Sequence, residues 1–144
     1  MPPGPALSFA AVDTFLMLGP SSEKLHLYIA LCGQTGDPPI FIAVPLNTAT
    51  LLTDRTVLLQ PGDHPFVTRE TSVSYDLLHQ FDVEKLLQLE RLSSASQQTL
   101  FERRQRVRTE VLQRLVDGAR VSDLAPKKMV RVLETLLAAD DPSP

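Results

Sequence analysis

Leu25-His26-Leu27-Tyr28-Ile29-Ala30-Leu31-Cys32 alternates two sets of side chains along one short run. Leu25, Leu27, Ile29 and Leu31 fall on one face of an extended chain, and His26, Tyr28, Ala30 and Cys32 on the other. This period of two predicts a β-strand with His26 and Tyr28 on the same face. The following Gly33–Pro39 segment is rich in Gly, Asp and Pro and predicts a turn, so Ile40–Leu46 becomes the partner strand of a hairpin. Upstream, Phe9–Leu18 suits a short strand or a helical turn, ended by Gly19-Pro20-Ser21-Ser22. Downstream, Leu51–Leu52, Thr56–Leu59 and Val67–Tyr75 read as further short strands.

Beyond Asp82 the pattern becomes helical. Asp82 is placed to cap a helix whose Val83, Leu86 and Leu87 share a face. Ser94 and Gln97 have capping-box spacing for a second helix, with Leu100, Val107, Val111 and Leu115 inward and Gly118 as its stop. A last helix is expected over Ala125–Ala138, burying Met129, Leu133, Leu136 and Leu137, with Pro126 in its first turn. Strands first and helices second indicate an α+β domain: a small curled antiparallel β-sheet or SH3-like barrel followed by C-terminal helices. One domain over residues 1–144 is expected, β-rich over 6–76 and helical over 82–139. Met1–Pro5 and Asp140–Pro144 read as loose ends.

Composition narrows the class. The 144 residues are 43% hydrophobic, with no Trp and 6% aromatic residues, which predicts one mainly aliphatic core. Cys32 is the single cysteine and is expected to be a buried, inert thiol in a reducing, cytoplasmic setting. No early Lys or Arg precedes the prolines Pro2, Pro3 and Pro5, so no signal peptide is expected, and no apolar run has membrane-spanning length. The net charge of −3 is unevenly distributed: residues 1–94 hold 5 basic and 10 acidic side chains, residues 95–132 hold 9 and 4. A global field for nucleic acid is therefore excluded, while a local basic face is not. Arg103, Arg104, Arg106, Arg108 and Arg114 spread around the second helix, where Glu102 and Glu110 are spaced for pairing with Arg106 and Arg114; a solvated face is the plainer reading.

The chemistry-bearing residues gather around Pro61-Gly62-Asp63-His64-Pro65. Two prolines restrict this turn and Gly62 permits an unusual φ, so a carboxylate and an imidazole are presented on a rigid loop. Asp63 also suits capping of its own turn. Arg69 offers a planar donor fork for phosphate, and Tyr75 a hydroxyl or a stacking ring. His26, His64 and His79 lack close paired spacing, so neither a metal nor a cofactor is expected.

His26-x-Tyr28, the second strand, Pro61-Gly62-Asp63-His64-Pro65-Phe66 and Ser72-Val73-x-Tyr75 together resemble small bacterial and phage-borne toxins of the PemK/MazF-like class, over roughly residues 25–76. The resemblance implies a curled barrel with helices, an endoribonuclease activity and neutralisation by an antitoxin protein. It points to His26, Asp63, His64, Ser72 and Tyr75; with Arg69 added as a phosphate clamp, His64, His26, Arg69 and Tyr75 are the expected catalytic residues and Asp63, Ser72 and Tyr28 the substrate-binding ones. The Gly-Asp-Ile/Val opening and the Arg-Pro motif of the better-known MazF-type toxins are absent. RNA cleavage through a 2′-hydroxyl needs a base, an acid and a cation, but no metal. A non-catalytic binding module on the same fold is the alternative, and a homodimer through the C-terminal helices is a further expectation.

Overall fold

The computed structural model describes residues 9–18, 24–50, 53–96 and 99–139. The expected turn at Gly19–Ser22, the strand at Leu51–Leu52, the capping role of Gln97 and both chain ends lie wholly or partly outside these residues.

The architecture is α+β. Strands β1 (Thr14–Leu18), β2 (Leu25–Ala30), β3 (Ile40–Thr48), β4 (Leu58–Leu59), β5 (Thr71–Val73), β6 (His79–Asp82) and β7 (Phe101–Arg104) form one sheet in the order β4-β5-β3-β2-β1-β7. Every pairing is antiparallel. The nine-residue β3 is shared along one edge by two strands: β6 covers Ile40–Ala43 and β5 covers Leu46–Thr48. No pairing joins β4 to β7 among the described residues, so the sheet is open and not a closed barrel.

Three helices follow: α1 (Val83–Ala95), α2 (Thr109–Val121) and α3 (Lys127–Ala139). Asp82 caps α1 as its sequence position predicts, accepting the N–H groups of Glu84 at 2.9 Å and Lys85 at 3.4 Å. The expected single helix from Ser94 to Gly118 is not formed. Ser94 belongs to the end of α1, and β7 intervenes before α2 begins. The supposedly helical half therefore supplies a sheet strand, and the division at residues 76–82 is not structural. In β7, Phe101 is buried and Arg103 half-buried, while Glu102 and Arg104 face outward. Charged outward side chains are a usual protection for an edge strand, and here they concealed it.

Gly118 does not end α2, which continues to Val121. A Cβ at Gly118 would overlap the Tyr75 hydroxyl and the Val57 side chain, so the glycine permits close approach of helix to sheet.

The core is less aliphatic than composition implies. Of six Phe and two Tyr residues, all but Phe66 are buried. Phe9, Phe15, Tyr28, Phe41, Phe81 and Phe101 form one cluster with ring centroids 4.7–6.1 Å apart. Tyr28 stacks on Phe15 at 5.4 Å, directly across the β1–β2 ladder. No helix among the described residues is long and apolar enough to cross a membrane.

Candidate functional site

Pro45 divides β3. A proline has no N–H for a sheet ladder, and the β2–β3 pairing stops where Pro45 faces Tyr28. The strand ends beyond it, carrying Leu25, His26, Leu46, Asn47 and Thr48, line a groove of about 850 Å³. Its remaining walls include Lys24, Pro65, Phe66, Arg69 and Arg104, and no acidic side chain among the described residues lines it.

His26 is oriented by the backbone. Its Nδ1 lies 3.2 Å from the Leu46 carbonyl, which can only accept, so Nδ1 carries the proton and Nε2 is left with a lone pair in the neutral ring. Among the described residues no buried side-chain nitrogen or oxygen lacks a hydrogen-bond partner; Nε2 has none and therefore opens to solvent.

Arg69 is exposed and makes no ion pair. Arg55, Arg103, Arg104, Arg106, Arg108, Arg114 and Arg120 all have carboxylate partners. The pairings expected within the second helix are not those observed: Arg106 meets Asp13 at 2.7 Å, and Arg114 meets Asp63 at 3.4 Å. Phe66, at 41% exposure, is the one Phe or Tyr ring left accessible, and it lines the same groove.

The turn beside the groove is built differently. Gly62 has φ +105°, a conformation that favours glycine. The Asp63 carboxylate accepts the Gln60 N–H at 2.8 Å, which is the capping reading of the turn. The same carboxylate lies 3.5 Å from Arg108 and 3.4 Å from Arg114, and Arg108 donates to the Gly62 carbonyl at 2.8 Å. Asp63 thus fastens the turn to α2 and the segment before it; substrate binding, its expected role, would have to compete with these bonds.

His64 is only 3% exposed. Its Nε2 donates to the Gln105 carbonyl at 2.5 Å, and its Nδ1 accepts the Phe66 N–H at 3.0 Å. Both ring nitrogens are occupied in the neutral form. Burial lowers the His64 pKa below its ordinary value and the Arg104 charge lowers it further, against the opposing effect of the Gln105 hydrogen bond. Its expected part as base and acid has no free nitrogen to act through. The ring aims the following Pro65 and Phe66 outward instead.

Three more expected site residues are buried. Tyr75 is fully enclosed, donates to the Leu115 carbonyl at 2.7 Å, and has its pKa raised mainly by burial. Ser72 is buried in β5, where its hydroxyl donates to the Asn47 carbonyl at 3.3 Å. Tyr28 belongs to the aromatic cluster. None of the three faces the groove. Of the seven site residues expected from sequence, the structure brings His26 and Arg69 together at the groove and leaves the others in the framework.

Phe66 and Asn47 were not legible as site residues. Phe66 had one signal, an apolar ring between proline and polar residues in a turn. Asn47 had none, because its place depends on the β3–β5 pairing. Among the described residues, no group of three or more His, Cys, Asp or Glu side chains is arranged to hold a metal ion. Compared with known proteins, the chain matches no family model, no curated protein sequence and no solved structure.

Proposed function

We propose that the protein is a toxin of the toxin–antitoxin kind that binds single-stranded RNA in the groove and cleaves it as an endoribonuclease. The observation that carries this reading is the meeting of Arg69, without an ion pair among the described residues, an open His26 Nε2 and the exposed Phe66 ring in one groove. A guanidinium suits the phosphate, an accessible ring suits a splayed base, and an open imidazole nitrogen suits proton transfer. The resemblance of residues 25–76 to PemK/MazF-like toxins supports the same substrate class, with the catalytic part now assigned to His26 and not to His64.

In the proposed reaction His26 Nε2 takes the proton from a ribose 2′-hydroxyl. The 2′-oxygen bonds to the adjacent phosphorus, the bond from phosphorus to the 5′-oxygen breaks, and that oxygen takes a proton from solvent. The products are a 2′,3′-cyclic phosphate and a 5′-hydroxyl end. Arg69 holds the non-bridging oxygens as their charge grows.

Incubation with single-stranded RNA tests both steps. Wild type should yield cyclic-phosphate ends, and His26→Ala should lower the rate about 100-fold or more while still binding. Arg69→Ala should reduce the slope of log affinity against log salt by about 0.7, the loss of one phosphate contact on a single strand. Binding without cleavage by wild type would favour the non-catalytic module. Absence of binding at low salt would overturn the reading altogether. An antitoxin partner and a homodimer through the C-terminal helices belong to the same proposal, and the exposed Val121 and Leu124 are apolar side chains such a dimer would cover.

A further inference from the structure

We propose that the groove selects nucleotides whose base carries an exocyclic amine, with Asn47 as the residue that reads it; this rests on the RNA-binding reading above. Asn47 stands near the end of β3 and lines the groove together with His26, Phe66 and Arg69. Its side-chain amide is fixed by one bond: Nδ2 donates to the Ser74 hydroxyl at 2.7 Å. Ser74 is itself buried and tied into the sheet, its N–H donating to the Pro45 carbonyl at 2.9 Å. That bond holds the amide in one orientation, with Oδ1 away from Ser74.

The other end of the amide is open. Asn47 Oδ1 has no hydrogen-bond partner, and no buried side-chain oxygen among the described residues lacks one, so Oδ1 reaches solvent. The groove consequently presents a fixed acceptor. A base packed on the exposed Phe66 ring would have its edge read by that acceptor, because stacking tolerates every base while edge hydrogen bonds do not. Adenine and cytosine offer an amine beside a ring acceptor, and guanine offers an amine beside a ring N–H. Uracil has no exocyclic amine; its one donor, the ring N–H, meets Oδ1 only with a carbonyl of like partial charge on each side.

Deletion of one amine provides the test. Fluorescence anisotropy is measured with two short single-stranded RNAs that differ at one position, adenosine in one and purine riboside in the other, so that only the exocyclic amine is lost. Each position of the oligonucleotide is substituted in turn. Wild type should bind the purine-containing strand about five- to tenfold more weakly at one position. Asn47→Ala should bind both strands equally there. Ser74→Ala, which releases Nδ2, should narrow the difference. Equal wild-type binding of both strands at every position, or tighter binding of uridine, would overturn this inference and leave the RNA reading standing. Failure to bind either strand would instead overturn the RNA reading itself.

Discussion

Two histidines within one small domain show how differently the same ring can be used. His64 lies under the turn, with Nε2 on the Gln105 carbonyl and Nδ1 on the Phe66 N–H. His26 lies at the groove, with Nδ1 on the Leu46 carbonyl and Nε2 open. The contrast extends to their surroundings. Around His64, Asp63 is held by two arginines and Thr14 donates to the same Gln105 carbonyl at 2.6 Å. Around His26, Arg69 has no carboxylate partner and Phe66 is exposed. A polar residue whose every hydrogen-bonding group is used internally serves the fold. One with a group left over, aimed into a groove, is available for chemistry.

This contrast predicts opposite mutational signatures. His64→Ala should cost about 2–3 kcal/mol, since it removes a buried ring, with the acceptor of the Phe66 N–H, and leaves a void; His26→Ala should cost under about 1 kcal/mol. Denaturant titration of the two variants measures this, and equal losses would erase the distinction.

The closed side should also be intolerant of added volume. Gly118→Ala is expected to destabilise by about 2 kcal/mol, because the methyl group enters space held by Tyr75 and Val57. Tyr75→Phe alone should cost about 1 kcal/mol by losing the bond to the Leu115 carbonyl. Combined with Gly118→Ala it should cost less than the sum, since the hydroxyl is part of the clash. Strict additivity in that double-mutant cycle would mean that the two residues do not meet as described.

The smallest effect concerns pH. His64 has a folded-state pKa below its ordinary value of 6.5, so the unfolded chain binds the extra proton more readily. Its contribution to stability is therefore full above about pH 6.5 and is lost as pH falls from there through the lower folded-state value. Melting temperature followed from pH 7.5 to 5 should decline in wild type, and His64→Gln should flatten part of that slope.

What was legible in the sequence had local causes. The alternation at Leu25–Ala30 records a strand, and Asp82 records a helix start, because neighbours in the chain supply the pattern. The closed side was read as a site because its residues are polar and their partners are distant: His64 meets Gln105 and Tyr75 meets Leu115, each about forty residues away. Nothing near Tyr75 announces that α2 will cover it. Phe101–Arg104 escaped notice for a related reason: its inward Arg103 lies over the Phe9 ring at 4.2 Å and pairs with Glu90, so a charged residue occupies a place where an apolar one would have marked a strand. Pro45 had a legible property, the missing N–H, but its consequence for the groove required knowing which strands flank it.

The β7 strand gives the molecule a schedule as well as a shape. His26, Asn47, Phe66 and Arg69 all precede β7 in the chain, yet one wall of the groove is Arg104, and the carbonyl that seats His64 belongs to Gln105. A ribosome-bound chain short of these residues holds those four side chains without the strand that completes their enclosure. Because domains assemble as their segments emerge, the groove is finished only when β7 docks on β1. Any activity that depended on the complete groove would be withheld until residues 101–105 have emerged and docked.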